Sequence, residues 1–154
     1  MIFSEFLETL AAIGWQTSGK SYAFRSLGEW QVAFIRLGGR LQREGMVSFV
    51  VCVRHTSLRN LEKQLSDCNK NPNAYPLRFT IEHIRQNDFS YKRELNYQIS
   101  YFPTDGDWSE LLQHLATTIP RWVSAFSRAA LVRQIKGQVD DPWYVENIWL
   151  EDLT

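Results

Sequence analysis

In three consecutive stretches of the chain, two sets of side chains alternate, each set occupying every second position. This pattern constrains the fold more than any other feature. The stretches cover residues 22–25, 30–35 and 47–54, and Gly28 lies in the short connection between the first two. In a β-strand, residues i and i+2 lie on the same face, so each stretch predicts a strand. Short connections join antiparallel neighbours, whereas parallel strands need long crossovers. The pattern therefore predicts an antiparallel three-stranded meander.

Two later stretches, 77–83 and 95–101, repeat the alternation. Each stretch has one mainly apolar face and one mainly polar face, which is typical of a strand in an antiparallel sheet with one face packed and the other exposed to solvent. The residues Gln86-Asn87-Asp88 lie between the two stretches and have turn chemistry. The sequence therefore predicts that the fourth and fifth strands form a hairpin.

Helical spacing of apolar residues marks the other elements. An opening helix is predicted from Phe3 to Ile13, with Gly14 as its C-terminal stop, and a short helix over 58–65. A longer helix is predicted after the sheet, with Asp107 as N-cap and Glu110 in capping-box position. Its predicted buried stripe comprises Trp108, Leu111, Leu112, Leu115 and Ile119.

Proline residues set two further expectations. Pro120 lies inside the pattern of the long helix and should kink or split it, because proline removes a backbone bond and clashes with the preceding turn. Asp141-Pro142 predicts the start of a final short helix, with an N-cap followed by proline at the first helical position.

The predicted order of elements is α-β-β-β-α-β-β-α-α, without a repeating βαβ rhythm. This order favours an α+β fold, with one antiparallel sheet of about five strands and helices packed mainly on one face. The chain has 154 residues and no internal linker, so we expect residues 1–154 to form a single α+β domain. Six Trp, six Tyr and nine Phe favour a core built on large rings.

Charge and composition indicate which kinds of partner and which cellular compartment to expect. Lys plus Arg and Asp plus Glu both total 17, so the net charge is zero and nucleic-acid binding is disfavoured. The chain lacks an apolar run of the roughly 18 residues needed for a membrane span. It starts without the basic segment and apolar run of a secretory signal. With two cysteines and no disulfide framework, we expect a cytoplasmic protein with reduced thiols.

The sequence contains no metal-binding or catalytic motif. His55, His83 and His114 have no His or Cys partner at a metal-ligand spacing, so neither a metal nor another cofactor is predicted. His83 is in phase with the apolar positions of stretch 77–83 and should pack at a strand end. Carboxylate pairs occur at 105 with 107 and at 140 with 141, but Asp107 and Asp141 suit helix caps. No catalytic residue is predicted, and catalysis stays open because active sites on unfamiliar folds need not carry motifs.

The last 17 residues, 138–154, combine five acidic residues with three large aromatic residues and contain no Lys or Arg. One interpretation is a terminal helix docked on its own core, because Tyr144, Val145, Ile148 and Trp149 share a helical face. The other is an acidic, aromatic surface that binds a basic protein partner. The residues of this candidate surface are Asp140, Asp141, Trp143, Glu146, Trp149, Glu151 and Asp152.

Several elements occur in a characteristic order. They are a helix ending in Gly14-Trp15, the strand Tyr22-Ala23-Phe24-Arg25, the segments 30–37 and 46–54, and the late helix start Asp107-Trp108-Ser109-Glu110. In this order the chain resembles a bacterial family of small uncharacterised domains of unknown function. Trp15 stands where the family has Phe, and the segment after Lys136 has no counterpart.

The resemblance implies a function without catalysis. Some members of the family look like immunity proteins of polymorphic toxin systems, which bind and silence a cognate toxin. We therefore expect a protein-binding module with another protein, such as a cognate toxin, as its partner. The alternative is a small-molecule-binding protein or enzyme that uses a concave sheet face lined by Trp30, Tyr97 and Tyr101.

Overall fold

The sheet follows the order of the chain. The computed structural model describes residues 3–37, 47–59, 70–94 and 104–154. Its strands form a five-stranded antiparallel sheet in the order β1-β2-β3-β4-β5. These strands are Gln16–Ser18, Tyr22–Leu27, Trp30–Arg36, Phe49–His55 and Leu77–Phe79. The predicted meander is confirmed as β2, β3 and β4, and β1 is a short strand that the sequence did not predict.

A two-residue turn links β2 to β3. Leu27 pairs with Trp30, and Gly28 adopts a φ of +62° between them. Glycine occupies this left-handed conformation without steric cost, and its position in a two-residue hairpin fixes the register of the two strands. All seven residues of β4 are buried, as expected of a central strand.

The helices lie on one face of the sheet. They are α1 (Phe3–Ala12), α2 (Ile81–Arg85), α3 (Asp105–Gln113), α4 (Ile119–Ala125), α5 (Arg128–Gln138) and α6 (Tyr144–Leu153). Each of these six contributes buried side chains to the cluster that contains Val32, Phe34, Val51 and Val53 of the sheet. The predicted α+β fold, with helices mainly on one face, is confirmed.

Aromatic rings form much of this core. Phe6 of α1 lies 4.7 Å from Trp108 of α3, and Phe34 lies 5.0 Å from Phe49, between ring centroids. Such offset and tilted pairs contribute packing energy beyond the area they bury. Much of the aromatic content of the described residues therefore lies in the core.

The opposite face of the sheet carries a smaller apolar cluster. It contains Tyr22, Ala33, Ile35, Val50 and Cys52, and Tyr75 packs onto it. The short 3-10 turn Pro72–Ala74 immediately precedes Tyr75. This loop covers part of the second face.

The strand predicted over 77–83 is wrong in its second half. Strand β5 ends at Phe79, and α2 begins at Ile81. The Thr80 hydroxyl accepts a hydrogen bond from the His83 backbone, and the His83 ring accepts one from the Thr80 N–H. This capping box favours a helix over the alternating pattern, so His83 caps a helix and does not end a strand.

The other strand of the predicted hairpin, 95–101, lies outside the described residues, as do nearly all residues of the predicted helix 58–65. The turn residues 86–88 follow helix α2 instead of a strand. Asn87 adopts a φ of +52° there, a conformation that asparagine tolerates better than most residues. The predicted turn at 86–88 is therefore the end of a helix, and the pairing of 95–101 stays a prediction.

The long helix starts earlier than predicted. Thr104 is its N-cap, and its hydroxyl accepts from the Asp107 N–H at 3.1 Å. The Asp107 carboxylate in turn accepts from the Thr104 N–H at 2.8 Å. Asp107 thus holds the third position of the capping box, not the cap, and Glu110 instead forms an ion pair with Arg85 at 2.7 Å.

The helix stays continuous around Pro120, where the sequence predicts a kink or a split. A π-helical turn, His114–Thr118, connects α3 to α4, and Pro120 lies in the first turn of α4. Proline lacks the N–H that would bond to the carbonyl of residue 116, and its ring crowds that carbonyl. The wider π turn accommodates this defect without ending the helix.

Two late elements differ from the sequence prediction. Helix α5, capped by the Ser127 hydroxyl, was not predicted. The final helix begins at Tyr144, three residues after the predicted start at Asp141. Both α5 and α6 place side chains in the main core, and only for α6 did the sequence offer a docked helix as an interpretation.

Candidate partner-binding surface

Helix α6 begins beside an exposed acidic and aromatic surface. Trp143 precedes the helix, and its backbone N–H donates to Glu146 Oε1 at 2.8 Å. Glu146 therefore satisfies an N-terminal donor of the helix from its third position, where a carboxylate also suits the helix dipole. This local bond fixes where the chain turns into α6.

Glu146 also anchors α6 to the segment 91–93. Its side chain is 1% exposed, and the Tyr91 hydroxyl donates to Oε2. Arg93 Nη2 donates to Oε1 at 2.6 Å, and Arg93 Nε lies 3.1 Å from both carboxylate oxygens. The backbone N–H of Tyr91 donates to Gln134 of α5 at 2.7 Å. The segment thus ties α5 and α6 together.

The protonation states of this network follow from its contacts. Burial alone would raise the pKa of Glu146, but the hydrogen bonds from Arg93, Tyr91 and the Trp143 backbone outweigh burial and hold this pKa below its ordinary value. Burial and the neighbouring carboxylate raise the pKa of Tyr91. At neutral pH the carboxylate is ionised and the phenol protonated, so the network is a stable clamp.

The clamp also positions an exposed ring. The Arg93 guanidinium lies 4.3 Å from the centroid of the Trp143 ring, within the range of a cation–π interaction. Trp143 is 51% exposed, and the adjacent Tyr144 is 65% exposed. A pocket of about 250 Å³ opens beside Trp143 and is also lined by Arg78, Arg93 and Trp149.

The structure separates the seven predicted surface residues into two groups. Asp140, Asp141, Trp143 and Glu151 are exposed. Glu146 and Trp149 are buried, and Asp152 points to Arg59, whose Nε donates to Oδ1 at 2.6 Å. These last three hold α6 on the protein and are withdrawn from a partner. The docked-helix interpretation therefore describes the inner face of α6.

Tyr144, which the sequence placed on the docked face of the helix, is exposed. Together with Asp140, Asp141 and Trp143 it defines what we call the acidic aromatic patch. Within the described ranges, neither aspartate carboxylate forms an ion pair, although the Asp141 carbonyl accepts from Arg93 Nη2 at 3.0 Å. Glu151 lies apart from the patch, 3.2 Å from Arg59 Nη2. The patch thus combines uncompensated negative charge with two exposed rings.

The sequence predicts little about the residues that support this patch. Tyr91 and Arg93 lie more than fifty positions before Glu146, in a segment without periodicity. The only hint was the lack of Lys and Arg after residue 138, since a buried Glu146 then needs a distant partner.

A second cluster has the residue types of a hydrolase triad. His55 Nδ1 lies 2.8 Å from the Ser57 hydroxyl, and His55 Nε2 lies 3.4 Å from Glu29 Oε2. Acyl transfer needs a donor for the developing oxyanion. The Thr56 N–H already donates to the Glu29 backbone carbonyl, the Ser57 N–H to the His55 ring and the Leu58 N–H to the His55 carbonyl. The cluster therefore closes a turn and orients Glu29.

The other candidate binding or reactive residues from the sequence are either buried or lie outside the described residues. Trp30 is buried between the sheet and the helices, 5.3 Å from Phe126 between centroids, and does not lie on an open sheet face. Tyr97 and Tyr101 lie outside the described residues, as does Cys68. Burial raises the pKa of the Cys52 thiol, which is unreactive there. The described part of the chain contains no group of three or more His, Cys, Asp or Glu side chains that could hold a metal ion.

Comparison of the chain with protein-family models, curated proteins and solved structures finds no match. The family resemblance drawn from the sequence therefore stays a prediction. In the described ranges, every helix is too short or too polar to cross a membrane.

Proposed function

We propose that this protein is a non-catalytic binding module that neutralises a basic protein partner, as an immunity protein does with its toxin. One observation carries the proposal: Trp143 and Tyr144 are exposed side by side next to Asp140 and Asp141. Scattered exposed rings are ordinary on protein surfaces, but adjacent Trp and Tyr residues are frequent energetic anchors of interfaces.

The clamp beneath the patch supports this proposal. Arg93 holds the Trp143 ring, and Glu146 holds both Arg93 and the Trp143 backbone. A ring that is already ordered loses little conformational entropy when a partner covers it. The patch is thus organised for binding before the partner arrives.

The charge of the patch favours a basic partner. A toxin that cleaves nucleic acid needs basic residues to hold its substrate. An acidic inhibitor surface would speed association with such a protein and cover its substrate groove. The exposed rings would then slow dissociation.

Binding to the product of the neighbouring gene tests the proposal. In the double variant Asp140→Lys/Asp141→Lys, the association rate constant should fall about tenfold or more and lose most of its salt dependence. Trp143→Ala should mainly raise the dissociation rate constant, by about thirtyfold for a central anchor.

Glu5→Lys/Glu8→Lys, on the exposed side of α1, is the matched control for charge reversal and should bind like the parent. Surface plasmon resonance at two salt concentrations measures both rate constants, and circular dichroism checks the fold. Parental binding by both patch variants would show that the patch is not the interface.

A further inference from the structure

The solvent-facing side of helix α5 is basic. Its exposed charged side chains are Arg128, Arg133 and Lys136, and the opposite side of the helix is buried in the core. The sequence contains no Asp or Glu in the stretch 111–139. In the described part of the chain, none of the three cations forms an ion pair. The outer side of α5 therefore carries positive charge that the molecule itself does not neutralise.

The acidic aromatic patch adjoins this basic side. Helix α5 ends at Gln138, and Val139 has an extended backbone, with φ −132° and ψ 126°. The Val139 side chain is buried in the same core cluster as Ile135 of the preceding turn. Neighbouring side chains of an extended backbone point to opposite sides, so Asp140 points away from the core, on the side where Lys136 is exposed. A positive and a negative surface therefore lie next to each other.

The two surfaces have matching chemistry. Asp140 and Asp141 offer carboxylates to the guanidinium group of Arg133 and the ammonium group of Lys136. The ring of Trp143 is 51% exposed. Aromatic rings attract cations over their faces and pack on the apolar stems of arginine and lysine. The patch therefore fits the basic side of α5 with both its charges and its rings.

A twofold axis brings such surfaces together between two copies of the chain. In a symmetric dimer the same surface of each copy meets itself, so this surface must be self-complementary. With the axis between the basic side of α5 and the patch, each copy places its basic half opposite the acidic half of the other. Within one molecule the two halves lie side by side, and no ion pair among the described residues joins them. A second copy can therefore neutralise both halves at once.

Other occupants match only part of this surface. A nucleic-acid backbone would be attracted to α5 but repelled by Asp140 and Asp141. A helix that binds a membrane surface inserts large apolar side chains. In the described ranges, the large apolar residues that are exposed are Ile13, Trp143 and Tyr144, and none of them belongs to α5. A second copy matches the positive half, the negative half and the rings.

We propose that the protein forms a symmetric homodimer in which Arg133 and Lys136 of each copy face the acidic aromatic patch of the other. The dimer covers the patch that a basic partner protein would use, so the two contacts exclude each other and the monomer is the form that binds the partner. This competition rests on the proposed function, whereas the dimer itself does not. The dimer is tested with the protein alone, so either proposal can fail without the other.

Sedimentation velocity of the full chain tests the dimer. Between about 1 and 300 µM protein, the sedimentation coefficient should rise from that of a monomer to that of a dimer. We expect a dissociation constant on the order of 10 µM, because exposed charged pairs contribute little and the rings supply most of the affinity. Raising the salt concentration from about 50 to 500 mM should raise this constant about tenfold, because salt screens exposed charges. A coefficient that stays at the monomer value, or one that keeps rising beyond the dimer as in an open chain of copies, would overturn the proposal.

A charge swap assigns the two halves. Arg133→Glu/Lys136→Glu and Asp140→Lys/Asp141→Lys bring like charges together, so each variant alone should dimerise at least about a hundredfold more weakly than the parent. An equimolar mixture of the two variants should form a dimer again, because both of its contacts then join opposite charges. Separate variants that dimerise like the parent, or a mixture that stays monomeric, would contradict the assigned halves.

Lys20→Glu/Lys70→Glu reverses two exposed lysines outside α5 and α6 and is the matched control, which should dimerise like the parent. Trp143→Ala should raise the dissociation constant about tenfold, because it removes an anchor of the contact. Circular dichroism checks that each variant keeps its fold. A loss of the dimer in the lysine control equal to that in the α5 variant would show a general effect of charge and would also overturn the proposal.

Discussion

Glu146 shows how one residue can determine the place of a whole helix. Its carboxylate receives hydrogen bonds from Tyr91, Arg93 and the Trp143 backbone, so all of its acceptor capacity serves α6. A buried carboxylate is tolerated only when it is paired and hydrogen-bonded in this way. The same residue orders Arg93 and, through it, the exposed ring of Trp143.

Glu146→Gln should therefore destabilise the protein, because it leaves Arg93 without its counter-charge and the Tyr91 hydroxyl without a charged acceptor. We expect a loss of about 2 kcal/mol in the free energy of unfolding, below the roughly 3–5 kcal/mol of a fully buried pair since Arg93 is partly exposed. Glu151→Gln, on the outer side of the same helix, should change it by less than about 0.5 kcal/mol. Urea denaturation measures both, and equal effects would contradict the assigned role of the clamp.

Among the elements, α3 shows which of two neighbouring leucines is buried in the core. Leu111 is buried and Leu112 is only partly buried, although the sequence pattern includes both in the stripe. Adjacent helical residues point about 100° apart, so only one of them can face the centre of the sheet. The helix is oriented by Trp108 and Leu115, which lie on the same side as Leu111.

This orientation makes a prediction about stability. Leu111→Ala should lower the free energy of unfolding by roughly 2–5 kcal/mol, because it empties a closed site. Leu112→Ala removes the same atoms from a partly open site and should cost about 1 kcal/mol. Chemical denaturation of the two variants gives the comparison, and a larger loss for Leu112→Ala would mean that α3 is rotated from the orientation described.

At the scale of the whole molecule, ionisable groups make stability depend on pH. Burial lowers the pKa of His55 and of His83, so the folded state binds fewer protons than the unfolded state below the ordinary histidine pKa of about 6.5. Hydrogen bonds also lower the pKa of Glu146 and Asp107. Both effects make the folded state less stable as pH falls.

We expect the free energy of unfolding to decline in two windows. Between about pH 7 and pH 5 the decline comes from the two histidines, and below about pH 4.5 it comes from the carboxylates. Denaturation curves from pH 8 to pH 3 measure the decline, and NMR titration should place the imidazole pKa values of His55 and His83 below 6.5. Stability that rises on acidification to pH 5 would contradict the buried position of His55 and the partly buried position of His83.

The sequence by itself determined the fold class and the central meander. Alternation over β2, β3 and β4, with short connections and a glycine turn, depends on neighbours in the chain, so local rules predict it. A disturbance of the helix near Pro120 was predictable for the same reason, because proline acts on its own helix, but the π turn itself was not predicted. In stretch 77–83, by contrast, the alternating pattern predicted one strand. The side-chain cap at Thr80 starts a helix there instead, so the strand ends at Phe79.

Only the tertiary structure decided which acidic and aromatic residues of the C-terminal segment face outward. Glu146, Trp149 and Asp152 resemble Asp140, Asp141 and Trp143 in the sequence, yet the first three are held by contacts with Arg93, the core and Arg59. Such placements depend on long-range packing, which composition and periodicity do not encode.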